Sequence, residues 1–222
     1  MRTWLRDNRG LLVFLVCFAF FRSAVADWNT VPSGSMRPTI LEGDVVLVNR
    51  LAYNFKIPLT DIALASFADP KRGDIVTFSS PRDGTRLIKR IVAVPGDRVE
   101  MRASTLFIND VAAEYASPSL VPEPLDHGGS VASVHAIERV AGDERPVQFL
   151  PRVRAMRDVE AFVVPADSYF MLGDNRDNSQ DSRYIGVVSR RLLIGRANRL
   201  LVSADIKGHW LPRIERIGKV LD

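Results

Sequence analysis

Apolar residues fall along this chain in short runs parted by glycine, proline and aspartate, a spacing that predicts strands rather than helices. Val45-Val-Leu-Val48, Ile75-Val-Thr-Phe78, Leu87-Ile-Lys-Arg-Ile-Val-Ala-Val94 and Leu106-Phe-Ile108 form a first group, and residues 161–164, 168–172 and 192–202 a second. No segment of comparable strength repeats with the period of a helix. The expectation is a mostly β domain, an antiparallel sheet or barrel-like fold, over residues 29–222. Between about 112 and 158 the pattern weakens at Pro118, Pro122, Pro124 and Pro146 and at Gly128-Gly129, so this stretch reads as an insertion or subdomain. No internal repeat is visible.

The longest apolar run, residues 11–21, follows a basic flank carrying Arg2, Arg6 and Arg9 against Asp7. That order signals membrane targeting, with two readings: a removed secretion signal ending at Ala24-Val25-Ala26, or a retained anchor. Arg22 interrupts the supposed cleavage region, while Trp4 and Trp28 bracket the run as interfacial residues do, which favours the anchor. A helix from Trp4 to Trp28 would span about 36 Å, enough for a hydrocarbon core of ~30 Å. On this reading residues 1–10 form a cytoplasmic tail, 11–28 one transmembrane helix, and 29–222 an extracytoplasmic domain.

Composition adds exclusions. The 222 residues carry 30 basic and 26 acidic side chains, a net charge of +4. The cations are dispersed and form no nucleic-acid module, so a lipid bilayer is the expected partner and nucleic acid is not. Cys17, the single cysteine, has no partner for an intrachain disulfide, and with three histidines the usual zinc spacings are absent. No metal, cofactor or additional protein subunit is expected.

Three segments carry candidate chemistry. Pro32-Ser-Gly-Ser-Met-Arg-Pro-Thr39 has the composition of a loop, but its serines become interesting if a base lies nearby. His127, His135 and His209 sit in no recognisable triad motif. Lys89 alternates with Leu87, Ile91 and Ala93 on what reads as a buried strand face. An ordinary lysine is neutral in only about one molecule in 2,500 at pH 7, so it serves as a base only if apolar surroundings lower its pKa. Residues 173–183 pack charged, amide and hydroxyl groups beyond what a turn needs, and so read either as a solvated loop or as a buried network around a reactive group.

Together these segments resemble the bacterial type I signal peptidases, the leader peptidases of protein export. The resemblance runs in order through residues 32–39, Lys71-Arg-Gly-Asp-Ile-Val-Thr-Phe78, residues 87–97 and residues 173–183. It implies a Ser-Lys dyad in which Ser35 is the nucleophile and Lys89 the general base. It further implies that Ser33 serves the oxyanion hole, that Ser179 orients the lysine, and that Asp181 and Arg183 pair in support. Val31, Met36, Ile40, Leu87, Ile88 and Met171 would fall near the substrate pockets. The implied activity is removal of signal peptides from exported preproteins after a small-x-small pattern, at the bacterial cytoplasmic membrane with the catalytic domain on the periplasmic or outer side. A specialised maturation enzyme, a self-cleaving Ser-Lys protease and a membrane-tethered β-barrel binding module are the competing readings.

Overall fold

The computed structural model describes residue 4 and residues 8–57, 63–124 and 129–221. Much of the basic flank, including Arg2, Arg6 and Asp7, and His127 lie outside the described residues. A helix, α1 (Arg9–Ala24), opens the described chain. It leads into a seven-stranded sheet in the order β1 (Ala26–Thr30), β2 (Asp44–Asn49), β16 (Leu193–Ser203), β5 (Ile75–Ser79), β6 (Arg86–Ala93), β14 (Ser168–Leu172) and β15 (Val188–Ser189). Every pairing in it is antiparallel.

A second sheet joins β13 (Val159–Val163), β7 (Arg98–Arg102), β8 (Thr105–Ile108) and β9 (Val111–Ala112). A third joins β10 (Glu114–Pro124), β11 (Ser130–Val140) and β12 (Asp143–Phe149), and a hairpin pairs β3 (Asn54–Lys56) with β4 (Ala63–Ser66). The mostly β antiparallel expectation holds.

Local pattern explains much of this. In β2, Asp44, Val46 and Val48 are buried while their neighbours are half-buried, the period of a strand with one face on a core. The register of β16 against β2 shifts twice, and such irregularities bend a strand and tighten its twist. The sheet curls far enough that β1 and β6, separated by three strands in the sheet order, line one cavity.

One expectation needs correction. The helix does not run to Trp28: it ends at Ala24, and Trp28 belongs to β1, where residues 26–30 pair with β2 from Ala26↔Asn49 to Thr30↔Val45. Residues 26–30 instead find backbone partners along the edge of β2, which takes them into the sheet. Among the described residues no helix is long and apolar enough to cross a membrane. The 112–158 stretch, read as an insertion or subdomain, carries the three strands of the third sheet, with its prolines within or beside them. There Pro122 and Pro146 are tolerated because neither lies in a strand paired on both sides.

Candidate active site

Ser35 occupies a short 3-10 turn, Gly34–Met36, entered from an extended Ser33 (φ −129°, ψ 152°) just after β1. Lys89 approaches from β6. Its Nζ donates to Ser35 Oγ at 2.7 Å and to the Ile88 carbonyl at 2.9 Å. Ser35 is 8% exposed and Lys89 only 2%. Burial pushes the Lys89 ammonium down to about 8, with Asp181 and Asp174 opposing that shift and Arg183 adding to it. A lysine with that pKa is neutral in roughly one molecule in ten at pH 7. A hydroxyl held within hydrogen-bond reach of such an amine has the geometry of a nucleophile beside its base.

Alternation predicted one buried face for this strand, but from Lys89 to Ala93 both faces are buried. Arg90 therefore needs a partner, and Asp174 supplies it through Nε and Nη2, each at 2.9 Å. Thr39 Oγ1 donates to the same carboxylate, tying the segment after Ser35 to residues 173–183. The hold on the serine is direct: the Asn175 backbone N–H donates to the Ser35 carbonyl at 3.1 Å and its side-chain amide to the Gly34 carbonyl at 3.0 Å.

Residues 173–183 are thus a buried network, the second of the two readings, and its far end is equally tied down. Asp181 caps α2 (Ser182–Ile185) and takes a bidentate pair from Arg183, 2.8 Å at each contact, while the Gly173 N–H donates to it at 3.0 Å. Arg176 reaches Glu138 on β11, and Glu138 also holds Arg145 at 2.7 Å. The third sheet therefore props the loop that positions Ser35. Arg90, Asp174, Asn175, Arg176 and Glu138 were not singled out by the sequence reading; an arginine inside an apolar strand was the one available signal, since a buried charge demands a counter-charge.

Gly173 is required by close approach. A Cβ there would lie 2.3 Å from Ser179 Oγ and 2.4 Å from the Ser35 carbonyl oxygen. We expect Gly173→Ala to push the Ser35 turn out of register with Lys89 and to lower kcat by about a hundredfold, the order of loss that a 1 Å misplacement brings. Unchanged kcat in steady-state peptide cleavage would refute this.

The structure brings Ser33, Ser35 and Lys89 together in one cavity of about 320 Å³, with Val31, Leu87 and Ile88 among its walls. Met36, Ile40 and Met171 do not line it: all three are fully buried, Met36 and Ile40 in a core with Val46 and Ile75, Met171 in another with Val76 and Ile91. Ser179 is close by, but no hydrogen bond joins it to Lys89, whose bonds go to Ser35 and the Ile88 carbonyl, and its buried Oγ has no hydrogen-bond partner. The described histidines, His135 and His209, are not among the cavity residues.

The geometry meets independent sequence likeness. The profile of the family described as signal peptidase, peptidase S26, matches residues 2–202. Signal peptidase I of Pseudomonas aeruginosa is 35% identical over 214 residues, covering 90% of this chain and 73% of that protein. Signal peptidase I of Rickettsia felis is 32% identical over 224 residues, covering 90% and 81%. The crystal structure of a signal peptidase I from Enterococcus faecalis is 31% identical and covers 59% of this chain and 98% of its own, at a TM-score of 0.35, too loose a superposition to bear on the fold. Since the match spans the segments that build the Ser35 and Lys89 cavity, the chain belongs to the signal peptidase family, peptidase S26, and is a hydrolase of protein chains.

Proposed function

We propose that the protein is a membrane-bound endopeptidase that removes N-terminal signal peptides from exported preproteins, cutting after a small-x-small pattern with a Ser-Lys dyad. The observation that carries this is the 2.7 Å contact between Ser35 Oγ and a Lys89 Nζ whose burial brings its pKa to about 8. With Lys89 neutral, the Ser35 hydroxyl donates its proton to Nζ as Oγ attacks the scissile carbonyl. The carbonyl oxygen becomes an anion, received by the Ser35 backbone N–H and the Ser33 hydroxyl, donors worth ~3 to 4 kcal/mol each in such sites. Lys89 then returns the proton to the departing amine, leaving an ester on Ser35. Water, deprotonated by the same amine, hydrolyses that ester and restores the serine. Asp181 and Arg183 keep their place as the pair that braces the loop.

Small side chains at the first and third positions before the cut suit a cavity walled by Val31, Leu87 and Ile88, where a bulky group would displace the carbonyl from Ser35. The anchor reading rests on α1, where Leu11, Val13, Phe14, Val16 and Phe18 are exposed as lipid-facing side chains would be. Residues 1–10 then lie in the cytoplasm, and residues 29–222 face the periplasm or outer surface of the bacterial cytoplasmic membrane.

The test is cleavage of a preprotein by the full-length protein across pH, with sequencing of the product's new N-terminus. Activity should rise from pH 6 toward 9 with a midpoint near the Lys89 value of about 8, because the neutral amine is the active form. A profile flat over that range, or a cut that ignores small-x-small, would sink the reading.

A further inference from the structure

Val25 alone separates the last residue of α1, Ala24, from the first of β1, Ala26. The Val25 carbonyl accepts the Arg50 backbone N–H at 3.0 Å, so even that residue is fastened to the sheet side of the junction. Phe18 and Arg22, one helical turn apart, both meet Trp28 of β1: the two rings lie 5.9 Å apart, and the Arg22 guanidinium sits 4.4 Å over the indole.

At the centre of this junction is Asp27, 5% exposed. Its Oδ1 accepts from Arg22 Nε at 3.2 Å and from the Trp28 N–H at 2.9 Å. Its Oδ2 accepts from Arg86 Nη1 at 3.0 Å, and Arg50 Nη1 lies 3.9 Å away. The same Arg86 nitrogen donates to Asn29 Oδ1 at 2.7 Å. Arg86 and Asn29 line the cavity of Ser35 and Lys89, whereas Asp27 does not. One buried carboxylate thus links the end of the helix to the rim of the cavity. An isolated exposed ion pair is worth little, but a carboxylate shared by guanidiniums from the helix and the sheet fixes two elements against each other.

We propose that Asp27 is a positioning residue that couples α1 to the substrate cavity, so that helix and cavity move as one body and the depth of the helix in the bilayer sets where a membrane-inserted substrate is cut. This rests on reading α1 as the anchor and signal peptides as the substrate. A soluble peptide reaches Ser35 whatever the tilt of the cavity. A preprotein whose apolar segment is held in the bilayer reaches it only at the matching depth, where pre-positioning replaces the entropy of encounter.

The test uses full-length protein in lipid vesicles, with a preprotein inserted in the same vesicles and a soluble peptide spanning the same cleavage sequence. Asp27→Asn keeps the shape and removes the charge. It should lower kcat/KM on the inserted preprotein by about tenfold or more while changing peptide cleavage by less than about twofold, and sequencing should reveal cuts displaced by one residue or more. Arg22→Gln, at a half-exposed position where folding is not at risk, should act in the same direction, and Asp27→Glu should recover part of the loss. Equal losses on both substrates, or undiminished preprotein cleavage in both Asp27→Asn and Arg22→Gln, overturn the coupling. If Asp27→Asn fails to fold, Arg22→Gln decides alone. A wild-type protein that leaves the preprotein uncut overturns the functional reading and this inference with it, so the two failures are distinguishable.

Discussion

Lys89→Arg is expected to be inactive, with kcat/KM lowered by about ten-thousandfold or more, the range over which serine peptidases lose activity when the nucleophile or its base is removed. The guanidinium keeps a positive charge in this position but cannot give up its proton at any working pH, so it cannot accept one from Ser35. Ser35→Ala should fall as far, and the double variant no further, because the two side chains act as a unit. Lys89→Met separates chemistry from folding. Burial places the folded Lys89 at about 8 against an ordinary 10.5, so between those values the unfolded chain binds more protons and stability rises with pH. Below about 8 the lysine is charged in both states and the folded protein carries the whole penalty. Lys89→Met should therefore be inactive yet melt at a higher temperature than wild type at pH 7. Retention of more than about 1% of activity by Lys89→Arg would exclude the dyad.

Glu138→Gln should cause the largest loss of stability, about 3 to 5 kcal/mol, the usual cost of leaving a buried charge without its partner. For a chain of this size that corresponds to a fall in Tm on the order of 10 °C. Glu138 is fully buried and faces two guanidiniums, with Arg176 Nη2 and Arg145 Nε each donating to Oε1 at 2.7 Å and Tyr115 Oη donating to Oε2 at 3.0 Å. The terminal nitrogens of Arg145 make no hydrogen bond and have only Asp143 at 4.0 Å from Nη1, so a neutral amide would leave the two buried guanidiniums facing each other with little compensation. Burial alone would raise the Glu138 carboxyl, but Arg176 and Arg145 outweigh it and hold the group at about 2. Its folded value lies below its ordinary 4.5, so its contribution is complete above 4.5 and is lost as pH falls toward 2. Thermal melts of wild type should steepen their decline in that window, and those of Glu138→Gln should not. Since Arg176 belongs to the loop that holds Ser35, the variant should also lose activity below its melting temperature; equal Tm values for the two proteins would refute the buttress.

The chain's own pattern determined the secondary-structure class, while its resemblance to the type I signal peptidases pointed to Ser35 and Lys89 as the proposed reactive pair. Alternating and continuous apolar runs report where strands lie because strand period and burial are local properties. Ser35 was picked out by that resemblance, its own stretch reading as a loop, whereas Lys89 was legible by itself because a lysine in an apolar strand is anomalous where it stands. Residues 173–183 stood out for the same reason, as too much polarity for one turn. What the sequence did not reveal is who partners whom. Arg90 with Asp174, Arg176 with Glu138 and Asn175 with the Ser35 carbonyl are contacts between residues 38 to 140 positions apart. Periodicity carries no information at that range.

The same limit explains the misplaced helix end and the region from 112 to 158. Whether residues 26–30 continue a helix or join a sheet depends on an edge of β2 being available, and β2 is built by residues beyond them in the chain. Between 112 and 158 prolines and charges weakened the strand pattern because the stretch is held by a buried glutamate, Glu138, whose partners are Arg145 on the neighbouring strand and Arg176 in a distant loop. Burial of Lys89, and with it the acidity of its ammonium, is likewise a property of the assembled core: a strand's sequence can propose a buried face, but only the packing of Ser35, Asp174 and Asp181 around it decides how far the pKa falls, since desolvation and neighbouring charge are set by distance in space.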